Sequence, residues 1–249
     1  LCRFSTYNGR NLILSVDEMR GWIIPPPIKP TKTEEEFLVE RNAKVRWLIQ
    51  RDLLKSDRIK NALLKVPRED FIPENYRDYA YLEVPFPLPG ERATISCPHS
   101  YPLFYEPLGL DQGDKFLEIG LGSGYGAAVA REVVGSEGLV VSIEIDPRTF
   151  RYAKGNLERS GYDDIVLVNG DGGFGCPDLS PFDKIAITAA CVAIPPPLID
   201  QLHIGGRLIS PVVKDDVQDL VLYEKTFDGI QRLKICEVLY ASLRGIYAA

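Results

Sequence analysis

The chain has 249 residues, 45% of them hydrophobic, enough for one well-buried globular unit with appendages. Its 29 Lys and Arg against 35 Asp and Glu leave a formal net charge of −6, so phosphate backbones exert no general attraction and nucleic acid is excluded as the default partner. The five cysteines (Cys2, Cys97, Cys176, Cys191 and Cys236) contain no CxxC pair, and only His99 and His203 accompany them, which argues against both a zinc site and a disulfide framework. Reduced thiols in a cytoplasmic protein are the simplest expectation. No run approaches the roughly 20 apolar residues that a membrane span requires. The charged N-terminus also lacks the apolar core of a signal peptide, so no membrane partner is expected.

Residues 1–32 form an N-terminal extension, strand-like over 11–15 and extended over 22–30, where three successive prolines forbid a helix interior. Across 33–66, Phe37, Val45, Leu48 and Ile49, then Ile59, Leu63 and Leu64, recur at helical spacing. Thr33 ahead of Glu34, Glu35 and Glu36 is an N-cap followed by acids at the positive end of the helix dipole. A second helix starts at Ser56 and stops before Pro67. The cations between Arg41 and Arg58 are mixed with acids and read as a solvated helix face. Residues 67–91, rich in proline and aromatics, are expected to be irregular.

From 114 to about 213 short apolar runs alternate with helical patterns. The runs 115–119, 139–143, 165–168, 184–188 and 206–211 predict strands, and 126–134, 147–160 and 197–202 predict helices. Two further strand-like runs flank Asp228-Gly229, a hairpin signal. Strand–helix alternation implies an α/β fold: a Rossmann-like, doubly wound, mostly parallel sheet with helices on both faces, preceded by a helical segment and completed by an antiparallel hairpin. The expected organisation is one globular domain with an extension (1–32), a helical and irregular segment on the substrate side (33–92), a cofactor-binding core (93–215) and the hairpin (216–249).

The segment 116–126, F-L-E-I-G-L-G-S-G-Y-G, ends a strand, places glycines at alternate positions and opens a helix. Such glycines permit a sharp turn and a close approach of ligand to backbone. A dinucleotide loop wants G-x-G-x-x-G, but Tyr125 stands at the third glycine position, which disfavours an NAD-dependent oxidoreductase. The E-x-G-x-G-x-G form instead resembles the S-adenosylmethionine loop of Rossmann-like methyltransferases. That resemblance implies a role for Glu118 in holding the methionine part of the cofactor, with Gly120, Gly122, Ser123 and Gly124 cradling it. Glu144 closes the second strand, where a carboxylate can accept hydrogen bonds from both ribose hydroxyls, with Ile145 beside it. Asp171, followed by Gly172, comes after the third strand and is placed to meet the adenine amino group. Thr188 follows the fourth, so these residues share the carboxyl edge where open α/β sheets bind ligands.

Further motifs sharpen the resemblance. Residues 65–74 read K-V-P-R-E-D-F-I-P-E, 93–96 read A-T-I-S before Pro98-His99, and 170–172 read G-D-G. Thr188-Ala189-Ala190 with Pro195, and the run 202–211, complete the set. From about 51 to 213 the chain is similar to the protein-L-isoaspartate (D-aspartate) O-methyltransferases, whose V-P-R-E-x-F-V-P-E and T-I-S-x-P-H runs these match. The resemblance implies S-adenosylmethionine as cofactor, isoaspartyl proteins and peptides as substrates, and no metal. It also implies Ser96 as the active-site serine that orients the acceptor carboxylate, with Thr94, Ile95, His99 and Ser242 on the substrate side. A nucleophilic serine would need an adjacent base, and His99 is the only histidine nearby in sequence.

Three segments depart from the family pattern. Pro102 and Pro107 interrupt the helix expected after His99, which predicts a kinked or shortened helix. Residues 83–90 (E-V-P-F-P-L-P-G) replace D-x-P-L-P-I-G, and 240–243 (Y-A-S-L) stand where the family has Y-V-P-L. A carboxyl methyltransferase with another acceptor and a non-catalytic cofactor-binding protein are the alternatives. Neither the N/D-P-P-Y/F motif of base methylation nor a basic, aromatic-studded stretch is present. Asn8-Gly9 and Asn169-Gly170 are themselves prone to succinimide formation, which makes self-repair at Asn8 conceivable.

Overall fold

The computed structural model describes residues 24–248. The strand expected at 11–15, the start of the extended segment and Asn8-Gly9 lie outside the described residues.

Helix α1 (Glu34–Gln50) opens with a capping box, in which the Thr33 hydroxyl accepts the Glu36 N–H and the Glu36 carboxylate accepts the Thr33 N–H. Helix α2 (Asp57–Lys65) is capped by Ser56. Two 3-10 turns, Arg68–Phe71 and Glu74–Tyr79, and a two-residue antiparallel pair, β1 (Phe86–Pro87) with β2 (Thr94–Ile95), occupy the expected irregular region. Helix α3 (Ser100–Leu108) forms with both prolines in place. Pro102 lies in the first turn, where an N–H would lack a helical acceptor, and Pro107 is one residue from the end, where Gly109 turns left-handed. The outcome is a short helix of 9 residues.

The core then runs β3 (Lys115–Ile119), α4 (Tyr125–Val134), β4 (Leu139–Glu144), α5 (Pro147–Arg159), β5 (Val166–Asn169), β6 (Phe182–Ile187), α6 (Pro196–Asp200), β7 (Leu202–Lys214), β8 (Val217–Thr226) and β9 (Gly229–Val238). One seven-stranded sheet has the order β5-β4-β3-β6-β7-β8-β9. The strands from β5 to β7 are mutually parallel, whereas the β7–β8 and β8–β9 pairs are antiparallel. The chain winds outward from β3 in one direction and resumes at β6 in the other, so the switch point falls between β3 and β6.

Alternation along the strands divides the interior. Phe116, Val140 and Ala186 join the larger core with α1 to α5, whereas Leu117, Ile119, Val141, Ile143, Ile185 and Ile187 join a smaller one with Leu198 of α6. Glu118 therefore shares the face of Phe116, the face that α3 and α4 cover. Among the described residues no helix is long and apolar enough to cross a membrane.

Several expectations need correction. Ile49 is 45% exposed, because only Phe37, Val45 and Leu48 turn inward on α1. Arg41 is not on a solvated face: its guanidinium bonds the Glu69 carboxylate at 2.5 Å, the Tyr81 hydroxyl at 2.8 Å and the Leu64 carbonyl at 3.1 Å. Helix α6 has only 5 residues. Strand β7 has 13, but it is irregular at its start: Gly205 has a φ of +84°, the register against β6 shifts between Leu202 and Arg207, and pairing with β8 begins at Arg207.

Candidate active site

The loop after β3 turns on glycines with positive φ: Gly120 (+99°), Gly122 (+57°) and Gly124 (+87°). A Cβ on Gly120 would overlap Thr188 Oγ1, whose hydroxyl is directed at the carbonyls of Ile119 (3.0 Å) and Gly120 (2.9 Å). Thr188 thus clasps the switch point shut, and that is where its hydroxyl is spent. Gly120→Ala should lower the unfolding free energy by about 2 kcal/mol, since it combines left-handed strain with this overlap. A shifted denaturation midpoint at constant slope would show it.

Across the switch point, Glu144 receives the Gly122 N–H on one oxygen (3.1 Å) and the Asp146 N–H on the other (3.0 Å). Burial pushes its carboxyl up, and these backbone donors partly offset the effect. The Ile145 N–H also acts on this carboxylate, which still has lone-pair capacity for a further donor. Ile145 is half-buried between these two acids. Ser123 is buried: its hydroxyl accepts the Tyr125 N–H at 3.3 Å and its carbonyl accepts Asn156 Nδ2 at 2.9 Å, fixing the start of α4.

Asp171 accepts the N–H groups of Gly173 (2.9 Å) and Ile246 (2.8 Å), so the C-terminal segment already contacts it. Gly172 must lack a Cβ because the Ile119 side chain lies against it. Asn169, of the second Asn-Gly pair, is held by its side-chain amide on the Glu144 carbonyl at 2.7 Å.

Glu118 lies beneath the glycine loop, 3% exposed. Gly126 leaves room for its Oε1, and the Ser142 hydroxyl donates to its Oε2 at 2.6 Å. Burial, with Glu144 as a like-charged neighbour, raises its pKa to about 8 despite that hydrogen bond.

On the other side of the loop, the Thr94 carbonyl sits 3.8 Å from where a Gly122 Cβ would stand, so β2 runs against the loop. Thr94 is exposed, Ile95 buried and Ser96 half-buried. Arg68 fixes this segment from behind. Its Nη2 donates to the Ser96 carbonyl and its Nε to the Ala80 carbonyl, both at 2.7 Å. The guanidinium carbon lies 5.7 Å and 5.4 Å from the ring centroids of Tyr101 and Tyr125. Tyr125, which breaks the dinucleotide pattern, is therefore a packing surface that joins the glycine loop to the serine segment.

His99 begins α3 without a side-chain cap; its Nδ1 is 2.5 Å from Glu83 Oε2, and Lys44 Nζ is 3.0 Å from Glu83 Oε1. Burial alone would raise the Glu83 carboxyl, but His99 and then Lys44 hold it at about 2. Ser242 forms a parallel bridge with Ala190, flanked by Ala190 N–H to the Ala241 carbonyl (2.8 Å) and Leu243 N–H to the Ala190 carbonyl (2.7 Å). Its bridge is thus to the segment after β6 and not to 94–99.

The family model described as "Protein-L-isoaspartate(D-aspartate) O-methyltransferase (PCMT)" matches residues 39–246. The chain belongs to the protein-L-isoaspartate O-methyltransferase family. Among relatives of that family, protein-L-isoaspartate O-methyltransferase 1 of Archaeoglobus fulgidus is 42% identical over 77% of this chain and 88% of its own length. The protein-L-isoaspartate O-methyltransferase of Hyperthermus butylicus is 40% identical over 87% and 93%. A solved protein-L-isoaspartate O-methyltransferase superposes with a TM-score of 0.77 at 35% identity, covering 83% of this chain and 67% of that one.

Glu118, Gly120, Gly122, Glu144 and Thr188 come together around the switch point, but several partners could not be read from the motifs. Arg68 sits inside the V-P-R-E run beside Glu69 and Asp70, and nothing in that charged neighbourhood signals that it is buried. Glu83 lies in the altered segment 83–90. Ser142 is a hydroxyl within an otherwise apolar strand, placed beside Glu118 only by the β3–β4 register.

Proposed function

We infer that this chain transfers the methyl group of S-adenosylmethionine to the free α-carboxylate of L-isoaspartyl residues in damaged proteins and peptides, and so starts repair through a succinimide. One observation carries the reading: β2 runs against Gly122 at Thr94, which supports a place for Ser96, the residue after β2, near the mouth of the glycine loop.

The donor set suits the cofactor. Backbone freed by Gly120, Gly122 and Gly124 around Ser123 gives a close approach for the methionine part, and the buried Glu118 carboxyl would face its ammonium group. Glu144 has acceptor capacity left for a ribose hydroxyl, beside Ile145, and Asp171 with Gly172 would meet the adenine. Thr188 acts by holding Gly120. Bound S-adenosylmethionine supplies a methyl group made electrophilic by its sulfonium.

The acceptor carboxylate is ionised near neutral pH and needs no strong base. The work left to the chain is alignment and exclusion of water. Ser96 would donate a hydrogen bond to the carboxylate, with Thr94, Ile95 and His99 shaping the pocket, while Glu83 orients the His99 ring. Ser242 would contact the peptide from the far side.

The test uses methyl-labelled S-adenosylmethionine and two matched peptides, one isoaspartyl and one aspartyl. Base-labile methyl ester is expected on the isoaspartyl peptide alone. Ser96→Ala should cut that rate about tenfold, the worth of one positioned hydrogen bond, and leave cofactor affinity unchanged. Equal labelling of both peptides, or of neither, would sink the reading.

A further inference from the structure

Cys97, His99 and Glu83 place a thiol sulfur, a ring nitrogen and a carboxylate oxygen within 4.8 Å of one another. Methyl transfer as read above uses the His99–Glu83 pair to shape the pocket, but it gives no role to the Cys97 thiol beside them. We propose that it is a zinc site whose occupation shuts the acceptor pocket, so that zinc reversibly inhibits the enzyme. The inhibitory half rests on the reading of Ser96 given above.

The donor chemistry is that of zinc: one thiolate, one imidazole and one carboxylate, with a fourth position open. Metal–ligand distances of about 2.0–2.3 Å put tetrahedral ligands roughly 3.3–3.6 Å apart. The three atoms lie within 4.8 Å, so the longest separation exceeds this by about 1.5 Å at most. His99 Nδ1 and Glu83 Oε2, now 2.5 Å apart, would have to part by about 1 Å. Both adjustments are within reach of side-chain torsions. Thiolate and carboxylate together neutralise the dication.

The surroundings favour such an ion. Cys97 and His99 lie in the turn between β2 and α3, held by regular structure on both sides. Both are buried, at 3% and 9% exposure, while the Glu83 side chain is a quarter exposed and opens a route from solvent. Lys44 occupies Oε1 of Glu83, which leaves Oε2, now paired with His99, for the metal. Binding forms Zn–S, Zn–N and Zn–O bonds. It releases to solvent the thiol proton and any proton shared between ring and carboxylate, with no change of oxidation state.

Ser96 is the residue before Cys97, so the ion would sit beside the acceptor carboxylate. If that carboxylate filled the open position, the metal would withdraw electron density from the oxygen that must attack the methyl group. Either way transfer stops. Scattered cysteines without a CxxC pair hide such a site, because its third ligand comes from a loop 14 residues before Cys97, as the numbering shows.

Cobalt(II) is the spectroscopic probe. Added to the metal-free full chain, it should give a thiolate-to-cobalt charge-transfer band in the near ultraviolet that one equivalent of zinc abolishes. The band should be absent in Cys97→Ala, and Glu83→Gln should weaken zinc binding about tenfold or more. Zinc should suppress labelling of the isoaspartyl peptide in the unaltered chain, and a chelator should restore it. No band, or a band that survives in Cys97→Ala, overturns the site. Equal zinc inhibition of the unaltered chain and Glu83→Gln overturns the inhibition. The cobalt spectrum needs no turnover, so a chain that methylates neither peptide would fail the functional reading while the metal site is still decided.

Discussion

Glu118→Gln weakens S-adenosylmethionine binding by about a hundredfold, the scale set by removing one member of a buried charge pair. In the free protein this carboxyl has a buried hydroxyl for a partner and Glu144 as its nearest like charge, and its pKa stands at about 8. A cationic ammonium beside it would draw the proton off and gain a desolvated partner. Binding by the unaltered chain should therefore tighten as pH rises towards 8 and release a proton, and the Gln variant should show neither effect. Titration calorimetry in two buffers of different ionisation enthalpy measures both. Undiminished affinity in Glu118→Gln would refute the assignment.

The same residue governs stability in the opposite sense. Its folded pKa lies above the ordinary 4.5, so the folded chain binds more protons than the unfolded chain between these values. The stabilisation from the protonated form is complete below pH 4.5 and is lost as pH rises through about 8. The Gln variant keeps its neutral side chain throughout, so it should unfold at higher denaturant concentration than the parent at pH 9 and at about the same concentration at pH 5.

Arg68→Ala should cost about 3–5 kcal/mol of folding free energy, the scale of truncating a large buried side chain together with two hydrogen bonds. It would strip the Ala80 and Ser96 carbonyls of donors and leave a cavity between Tyr101 and Tyr125. Arg68→Lys should recover only part of this loss, since a single ammonium cannot reproduce a planar fork with two separate acceptors. Chemical denaturation gives the free energies. A change below 1 kcal/mol in Arg68→Ala would show that the Arg68 bridge is dispensable.

What could be read from the chain was what its local order dictates. Strand β3 was placed at 115–119, its observed bounds, because three apolar residues, Phe116, Leu117 and Ile119, lead straight into the first glycine. The caps Thr33 and Ser56 were legible for the same reason: a capping side chain bonds backbone within three residues. The cofactor-side residues could be ordered along the carboxyl edge because parallel winding fixes which end of each strand faces the ligand.

What stayed hidden depends on partners distant in sequence. Arg41 is charged and helical, and nothing in its neighbourhood announces that Glu69 and Tyr81 will fold over it. His99 could be assigned to the substrate side by resemblance, but not to Glu83, since that pairing depends on the path of 83–96. Asp171 could be placed at a strand end, while its bond to Ile246 requires the chain to return from its far terminus. The expected strand 206–211 missed the start of β7 at Leu202, because that start depends on Phe182 of β6 and lies beyond an irregular stretch at Gly205, where φ is +84°.

The return of the C-terminal segment has a consequence for the order of events during synthesis. Ile246 donates to Asp171 across a separation of 75 residues, Arg244 reaches Glu91 across 153, and Tyr247 packs its ring on Phe174. These contacts join the ends of several strands that have already left the ribosome. A nascent chain stalled before Arg244 can pair β3 to β9 and still lack the bonds that hold Asp171 and Glu91. Those bonds therefore wait until the segment 244–247 has emerged, so a repair enzyme of this design cannot be assembled strictly in the order of synthesis.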